Sequence, residues 1–169
     1  MASTVALGDW VQGSEKFLVA GLKKSTAGSS AIARGKVIGL GVSTAGVWAV
    51  APTSFVGKTG ICTHTNIDAD DNFTGLVGGG TGYVKADGTI KPHSPVQLSG
   101  STAGEVVEYT VATIATTPTQ ANVQDARDAM RKIVGFYVGH ADEGDGGTGR
   151  LITDAADGDT IKIGLVRSQ

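Results

Sequence analysis

The sequence predicts a mainly β fold: a small barrel or sandwich of short hairpins, with one short α-helix and an N-terminal arm. Glycine supplies 26 of the 169 residues, about twice its usual share of roughly 7%. Short Val, Ile and Thr runs separated by Gly, Ser, Asp and Asn are typical of short strands joined by many turns. A chain of this length can bury a core as one domain without a disulfide, and it has a single cysteine, Cys62.

The N-terminal segment, residues 1–30, is predicted to be an arm or a first pair of strands, followed by a flexible loop. It contains the apolar stretches "VALGDWVQ" and "KFLVAGL", and "KKSTAGSSAIARG" supplies the loop. No basic leader with a following apolar segment is present, so we expect no signal peptide. Residues 31–169 are predicted to form a β-barrel domain with a helical insertion.

Three hairpins are predicted from Lys36 onwards. The first joins "KVIGLGV" to "VWAVA", the second turns at Asp87-Gly88 in "YVKADGTIKP", and the third joins "PVQLS" to "EVVEYTVATI". The stretch "IDADDNFTGLVGGGTG" is rich in aspartate and glycine and predicts a long exposed connection. In "VWAVA", Trp48 is expected in the core.

The tetrapeptide STAG occurs at residues 25–28, 43–46 and 101–104. The spacings of 18 and 58 residues give no fixed period, so they predict no solenoid repeat. Ser and Thr can hydrogen-bond to the local backbone, and Gly can adopt the left-handed conformation that closes a short loop. We interpret STAG as turn chemistry that the chain uses repeatedly.

One helix is predicted, at about residues 118–132. A capping box with proline at the first helical position is predicted at Thr117-Pro118-Thr119-Gln120. Apolar residues recur on one helical face after it: Val123, Ala126, Met130 and Ile133. The stretches "IVGFYVGHA" and "TIKIGLV" then predict strands, the second because Ile161, Ile163 and Leu165 alternate strictly.

The sequence predicts no enzyme: we expect no catalytic residue, no cofactor and no metal site. In "GVSTAG" the second glycine lies one position too late for a nucleophile elbow. Cys62 and His64 share a predicted strand face, but nothing nearby supplies further zinc ligands or an orienting group. The acidic stretches are interpreted as solvated turns. A calcium loop starting at Asp68 would need Gly where Phe73 stands and Glu where Gly79 stands.

Charge and hydropathy exclude two further classes of partner. The net charge of −2 argues against coating nucleic acid, because phosphate binding needs concentrated Lys and Arg. No apolar run approaches the roughly 20 residues that cross a bilayer, so no membrane partner is expected.

Four stretches carry a resemblance to a known family: "ARGKVIGLGVSTAGVWAVAP", "GGGTGYVKADGTIKPHSPVQLSGSTAGEVVEYT", "KIVGFYVGHADEGDGGTG" and "DAADGDTIKIGLV". Together they resemble the capsid decoration (cement) proteins of tailed viruses, of the small-β-barrel type. The likeness covers about residues 31–166. It consists of a glycine-rich strand–turn rhythm, an "IVGF"-like strand and a terminal "GD-x-I-x-I-x-L" strand.

The resemblance implies a structural virion protein on the outer capsid surface, a homotrimer that bridges subunits of the major capsid protein. An arm that adds a strand or packs into a groove would serve such contacts. The candidate interface residues are Val5, Leu7, Trp10, Val11, Phe17 and Leu18. Two alternatives stay open. The segment could be the first strand pair of the barrel, and the protein could be a tail- or fibre-associated β-domain that binds host surface carbohydrate.

Overall fold

The computed structural model describes residues 7–10, 15–24, 32–42, 45–53, 55–63, 72–111, 116–117, 119–140 and 152–166. A 3₁₀ turn, Glu15–Phe17, precedes the first strand. The strands are β1 (Leu18–Lys23), β2 (Val37–Leu40), β3 (Trp48–Val50), β4 (Thr59–Cys62), β5 (Asn72–Val77), β6 (Thr81–Lys85), β7 (Pro95–Leu98), β8 (Val106–Glu108), β9 (Ile133–His140) and β10 (Thr160–Leu165). The helix α1 is Gln120–Met130.

The strands form two antiparallel sheets of five strands each. The first sheet has the order β1-β5-β4-β2-β3, and the second has the order β6-β10-β9-β7-β8. The predicted fold class is therefore confirmed: the protein is mainly β, with one short helix among the described residues. β1 lies within residues 1–30 and forms an edge of the first sheet, antiparallel to β5.

Each sheet curls until its two edge strands meet. A parallel bridge joins Lys24, directly after β1, to Trp48 in β3. A second parallel bridge joins Ala86, directly after β6, to Val106 in β8. Edge strands that run parallel are expected when five consecutive antiparallel neighbours close on themselves, so both sheets have the arrangement of a small, partly closed barrel.

The two sheets repeat one another in strand order, and their hairpins also repeat in register. The strand order of the second sheet is that of the first with every strand moved five places along the chain. In the β2–β3 hairpin Leu40 pairs with Trp48. In the β7–β8 hairpin Leu98 pairs with Val106. Each of these residues lies 58 positions from its counterpart, and the two hairpins have the same bounds under that offset.

Hydrogen bonds outside the strands follow the same offset. Lys36 N donates to Ala33 O at 3.3 Å, and Ser94 N donates to Lys91 O at 3.1 Å. The bond from Gly41 N to Val47 O is matched by the bond from Ser99 N to Glu105 O, both 2.8 Å. The 58-residue spacing of the second and third STAG copies is therefore the spacing of two equivalent hairpins.

The core consists of two clusters of buried side chains. One cluster lies on the inner face of the first sheet and contains Leu22, Ile32, Ile38, Trp48, Cys62, Phe73 and Val77. The larger cluster combines the inner face of the second sheet with outer-face residues of the first sheet, among them Val37, Ile61 and Leu76. The first sheet thus buries both of its faces. Trp48 is buried, as predicted.

The prediction of an exposed connection before residue 82 is wrong for β5, an inner strand of the first sheet. Its glycine is required by close packing. A Cβ on Gly75 would lie 2.8 Å from Cδ1 of Leu22 and 3.2 Å from Cδ1 of Ile38. A composition typical of a loop therefore belongs to a strand whose backbone is crowded by its neighbours.

The prediction of a hairpin at Asp87-Gly88 is also wrong. β6 pairs with β10 rather than with β7. Residues 86–90 instead pass the ends of other strands: Asp87 N donates to Val106 O at 2.8 Å, and Ile90 N donates to Ala155 O at 3.1 Å. Pairing between strands that are distant in sequence overrides the local turn signal here.

The N-cap of the helix lies two residues later than predicted, at Thr119 rather than Thr117. Thr119 is the N-cap: Asn122 N donates to its hydroxyl at 3.3 Å, and Thr119 N donates to the Asn122 side chain at 3.0 Å. α1 ends at Met130, and Ile133 already belongs to β9. Pro118 lies outside the described residues.

Candidate interaction surfaces

The predicted interface residues of the N-terminal segment divide into packed and exposed ones. Phe17 and Leu18 are partly buried against the larger core cluster. Leu7 is half-buried beside Gly35, where an added Cβ would lie 2.6 Å from Leu7 Cβ. Trp10 stays 38% exposed. Val5 and Val11 lie outside the described residues.

Trp10 is presented by a short stretch of chain that pairs with β6. Gly8 N donates to Tyr83 O at 2.9 Å, Tyr83 N donates to Asp9 O at 3.1 Å, and Trp10 forms an antiparallel bridge with Gly82. An ion pair between Asp9 and Arg34 ties the same stretch to the loop before β2. The backbone beneath the indole is thus fixed at several points.

The helix presents a second exposed apolar surface. None of its residues is buried, and Val123 and Met130 are both exposed. α1 lies in the β8–β9 connection, whose counterpart in the first half is the shorter β3–β4 connection, residues 51–58. The helix is therefore an addition to the second half of the chain, and its apolar residues Val123 and Met130 are not buried in the core.

A third apolar surface lies on the outer face of the second sheet and was missed by sequence reasoning. Phe136 is 45% exposed and Val138 is 37% exposed. Phe136 pairs with Pro95 on β7 and with Gly164 on β10. A signal was available, because in "IVGFYV" both faces of the strand are apolar, and only one of them can face the interior of a small barrel.

The joint between the two sheets is built around the third STAG turn. Val37 N donates to Gly104 O at 2.8 Å, and Gly104 N donates to Ala51 O at 3.0 Å. Glu105 is buried and accepts from Lys36 Nζ at 2.8 Å, while Lys85 Nζ lies 3.9 Å away. A buried carboxylate between two ammonium groups adds a charged link to the apolar contacts of the joint.

A cluster of hydroxyls surrounds the Asp87 carboxylate at the same turn. Ser101 Oγ donates to Asp87 Oδ2 at 2.6 Å, and Ser99 Oγ donates to the same oxygen. The hydrogen bond from Ser101, followed by that from Ser99, lowers the pKa of Asp87, because both stabilise the ionised carboxylate. This arrangement fixes the turn to the end of β6.

Reactive and metal-ligating side chains do not gather in the described ranges. No group of three or more His, Cys, Asp or Glu side chains there could hold a metal ion. Cys62 is buried, with its thiol 3.9 Å from Ile32 O. Asp159 accepts from Ala156 N, three residues earlier, at 2.7 Å. Asp68, Asp70 and His64 lie outside the described residues. No described helix is long and apolar enough to span a membrane.

Comparisons of the chain with protein-family models, with curated proteins and with solved structures gave no match.

Proposed function

We propose that this chain is a structural virion protein that binds the outer surface of a viral capsid and stabilises it by bridging subunits of the major capsid protein. The proposal rests first on the sequence resemblance to capsid decoration proteins. The stretches that carry it include β2 and β3 of the first sheet and all five strands of the second sheet. The resemblance thus includes seven of the ten described strands.

The single observation that carries the proposal is the presentation of Trp10. Its indole is 38% exposed, although the backbone beneath it is hydrogen-bonded to β6. Tryptophan is among the residues that contribute most binding energy at protein interfaces. A rigid backbone lowers the entropy lost when such a side chain is buried by a partner. The exposed apolar face of α1 supplies a second contact of the same kind.

Stabilisation of a shell in this way needs no reaction centre. A protein that binds the assembled shell, and not its separated subunits, shifts the equilibrium toward assembly by mass action. Bound protein should therefore raise the temperature at which shells disrupt, and the rise should increase with the concentration of free protein.

The test adds purified protein to preformed shells of the major capsid protein from the virus or prophage that carries the gene. We expect saturable binding at a fixed copy number and a higher disruption temperature. Trp10→Ala should weaken binding at least severalfold. The exposed residue Val111 provides the control, because Val111→Ala should bind like the wild type.

Failure to bind the shells, together with binding of the isolated protein to surface glycans of host cells, would favour the alternative, a carbohydrate-binding tail or fibre domain. Saturable shell binding that Trp10→Ala and Met130→Ser both leave unchanged would show that neither proposed surface makes the contact.

A further inference from the structure

The joint within the chain defines how two of these five-stranded units fit together. A row of outer-face residues on the first sheet pairs across four strands: Leu18 with Leu76, Leu76 with Ile61, and Ile61 with Val37. Ile61 and Leu76 are fully buried, and the second sheet covers them at Gly82 of β6. A Cβ on Gly82 would lie 3.1 Å from Ile61 Cδ1 and 3.2 Å from Leu76 Cδ2.

The second sheet has an equivalent row that is less buried than the row on the first sheet. The shared register places Thr81, Gly164, Phe136 and Pro95 where the first sheet has Leu18, Leu76, Ile61 and Val37. Phe136 is 45% exposed, while its counterpart Ile61 is fully buried. We call this row, together with the adjacent Val138, the open face.

Gly82 of the second sheet covers the joint, and its equivalent on the first sheet is exposed. The register makes Val19 the equivalent of Gly82, because Val19 pairs with Gly75 and Gly82 pairs with Ile163 at matching positions of the two sheets. Val19 is 40% exposed and the neighbouring Ala20 is also exposed. We call these two residues the open end.

The open face and the open end carry a small and a large residue at the positions where the joint has a large and a small one. At the joint within the chain, a large residue, Leu76, lies against a position without a side chain, Gly82. On the free surfaces the large residue is Val19, and the position without a side chain is Gly164. An added Cβ on Gly164 would meet nothing closer than Val138 Cγ1, at 4.0 Å, so the surface directly above Gly164 is open. Shape complementarity of this kind is what a specific interface requires.

We infer that the open face binds the open end of a second copy of this chain, so that copies associate head to tail by repeating the joint found within each chain. Val19 then lies over Gly164 and against Phe136, as Gly82 lies against Ile61 and Leu76. This contact lacks the hydrogen bond that Val37 N donates at the joint, because the equivalent residue, Pro95, has no N–H. A heterologous contact of this type closes into a ring when its rotation allows. The inference does not depend on binding to a capsid.

The test is the oligomeric state of the full chain, measured by sedimentation velocity and light scattering, with circular dichroism to confirm that each variant folds. We expect the wild type to associate. Phe136→Asp and Val19→Asp should each be monomeric, because each breaks one half of the contact. Gly164→Leu should also be monomeric, since it fills the hollow at a position where a side chain causes no clash. Val111→Asp should associate like the wild type.

Mixing the two aspartate variants distinguishes head-to-tail from face-to-face association. Phe136→Asp retains its open end and Val19→Asp retains its open face, so their mixture should form a heterodimer and nothing larger. Association of Val19→Asp by itself would overturn the head-to-tail contact. The proposal would equally be overturned by a wild type that stays monomeric, or by an open face that binds capsid protein but not a second copy.

Discussion

Gly46 and Gly104 occupy the same position in the two equivalent hairpins, and both have a left-handed backbone, with φ of 78° and 73°. Their surroundings differ. A Cβ on Gly46 would meet no atom within 4 Å, whereas a Cβ on Gly104 would lie 2.8 Å from Val50 Cγ1 and 3.0 Å from Lys36 Cδ. One turn points into open space, and the other forms the joint between the sheets.

Alanine at these two positions should therefore have unequal effects on stability. Gly46→Ala should cost about 1–2 kcal/mol, the strain of a left-handed residue with a Cβ. Gly104→Ala carries the same strain and should cost about 1–3 kcal/mol more, because the joint must move to accommodate the methyl group. Urea unfolding of both variants measures the difference. Equal losses would show that the joint yields without cost.

The pKa of Asp87 should respond to its hydroxyl partners. Ser101→Ala removes the hydrogen bond that lowers this pKa most, so the pKa should rise toward the value of an ordinary aspartate. NMR titration of the carboxyl carbon measures it directly. Thr89→Ala, at an exposed position, is the control and should leave the pKa of Asp87 unchanged.

Ser101→Ala should also change how the free energy of unfolding depends on pH. A carboxyl whose pKa is lowered by folding contributes stability above its unfolded pKa, and that contribution is lost as pH falls through its folded pKa. Wild type should thus be more stable than Ser101→Ala near neutral pH, and the difference should shrink as Asp87 becomes protonated in acid. A difference that does not change with pH would mean that the serine acts only through the turn.

Lys24 should be replaceable by an apolar side chain with a gain in stability. It is only 3% exposed, and in the part of the chain that the structure describes its Nζ has no hydrogen-bond partner. Its counterpart in the second half is Ala86, which makes the equivalent bridge. A buried donor without a partner costs about 1–3 kcal/mol, so Lys24→Met should raise the free energy of unfolding by about that amount.

Lys58→Met, at an exposed position, is the matched control for Lys24→Met and should change the unfolding free energy little. A loss of stability in Lys24→Met would show that the ammonium group is stabilised where it lies.

Hydrophobic alternation and turn residues correctly predicted two hairpins and the last strand. The β2–β3 and β7–β8 hairpins follow from apolar runs around STAG, and β10 follows from the alternation of Ile161 and Ile163, both buried. β5 was missed because Asn72 and Gly75 resemble loop residues. Gly75 is required because the side chains of Leu22 and Ile38 pack against it. These residues belong to strands that are distant in sequence, so the sequence alone does not show the contact.

The candidate surfaces were harder to predict, for a related reason. Trp10 was identified as one of the apolar residues of the predicted N-terminal arm. Phe136 was not identified, because its exposure depends on how the two sheets pack. The outer face of the first sheet is covered at Ile61, whereas the outer face of the second sheet is exposed at Phe136. The repeat was hidden as well, since α1 lengthens the second half and STAG is the longest run of identical residues that the two hairpins share at the 58-residue offset.

The matched strand orders also bear on ancestry. Tandem duplication of a gene for one five-stranded unit would yield the same strand order in both halves, with later divergence at Leu76 and Gly164 or at Lys24 and Ala86. Once fused, two such halves would no longer have to keep identical surfaces. The joint is held within a single polypeptide, whereas a contact between separate copies would be free to change in strength.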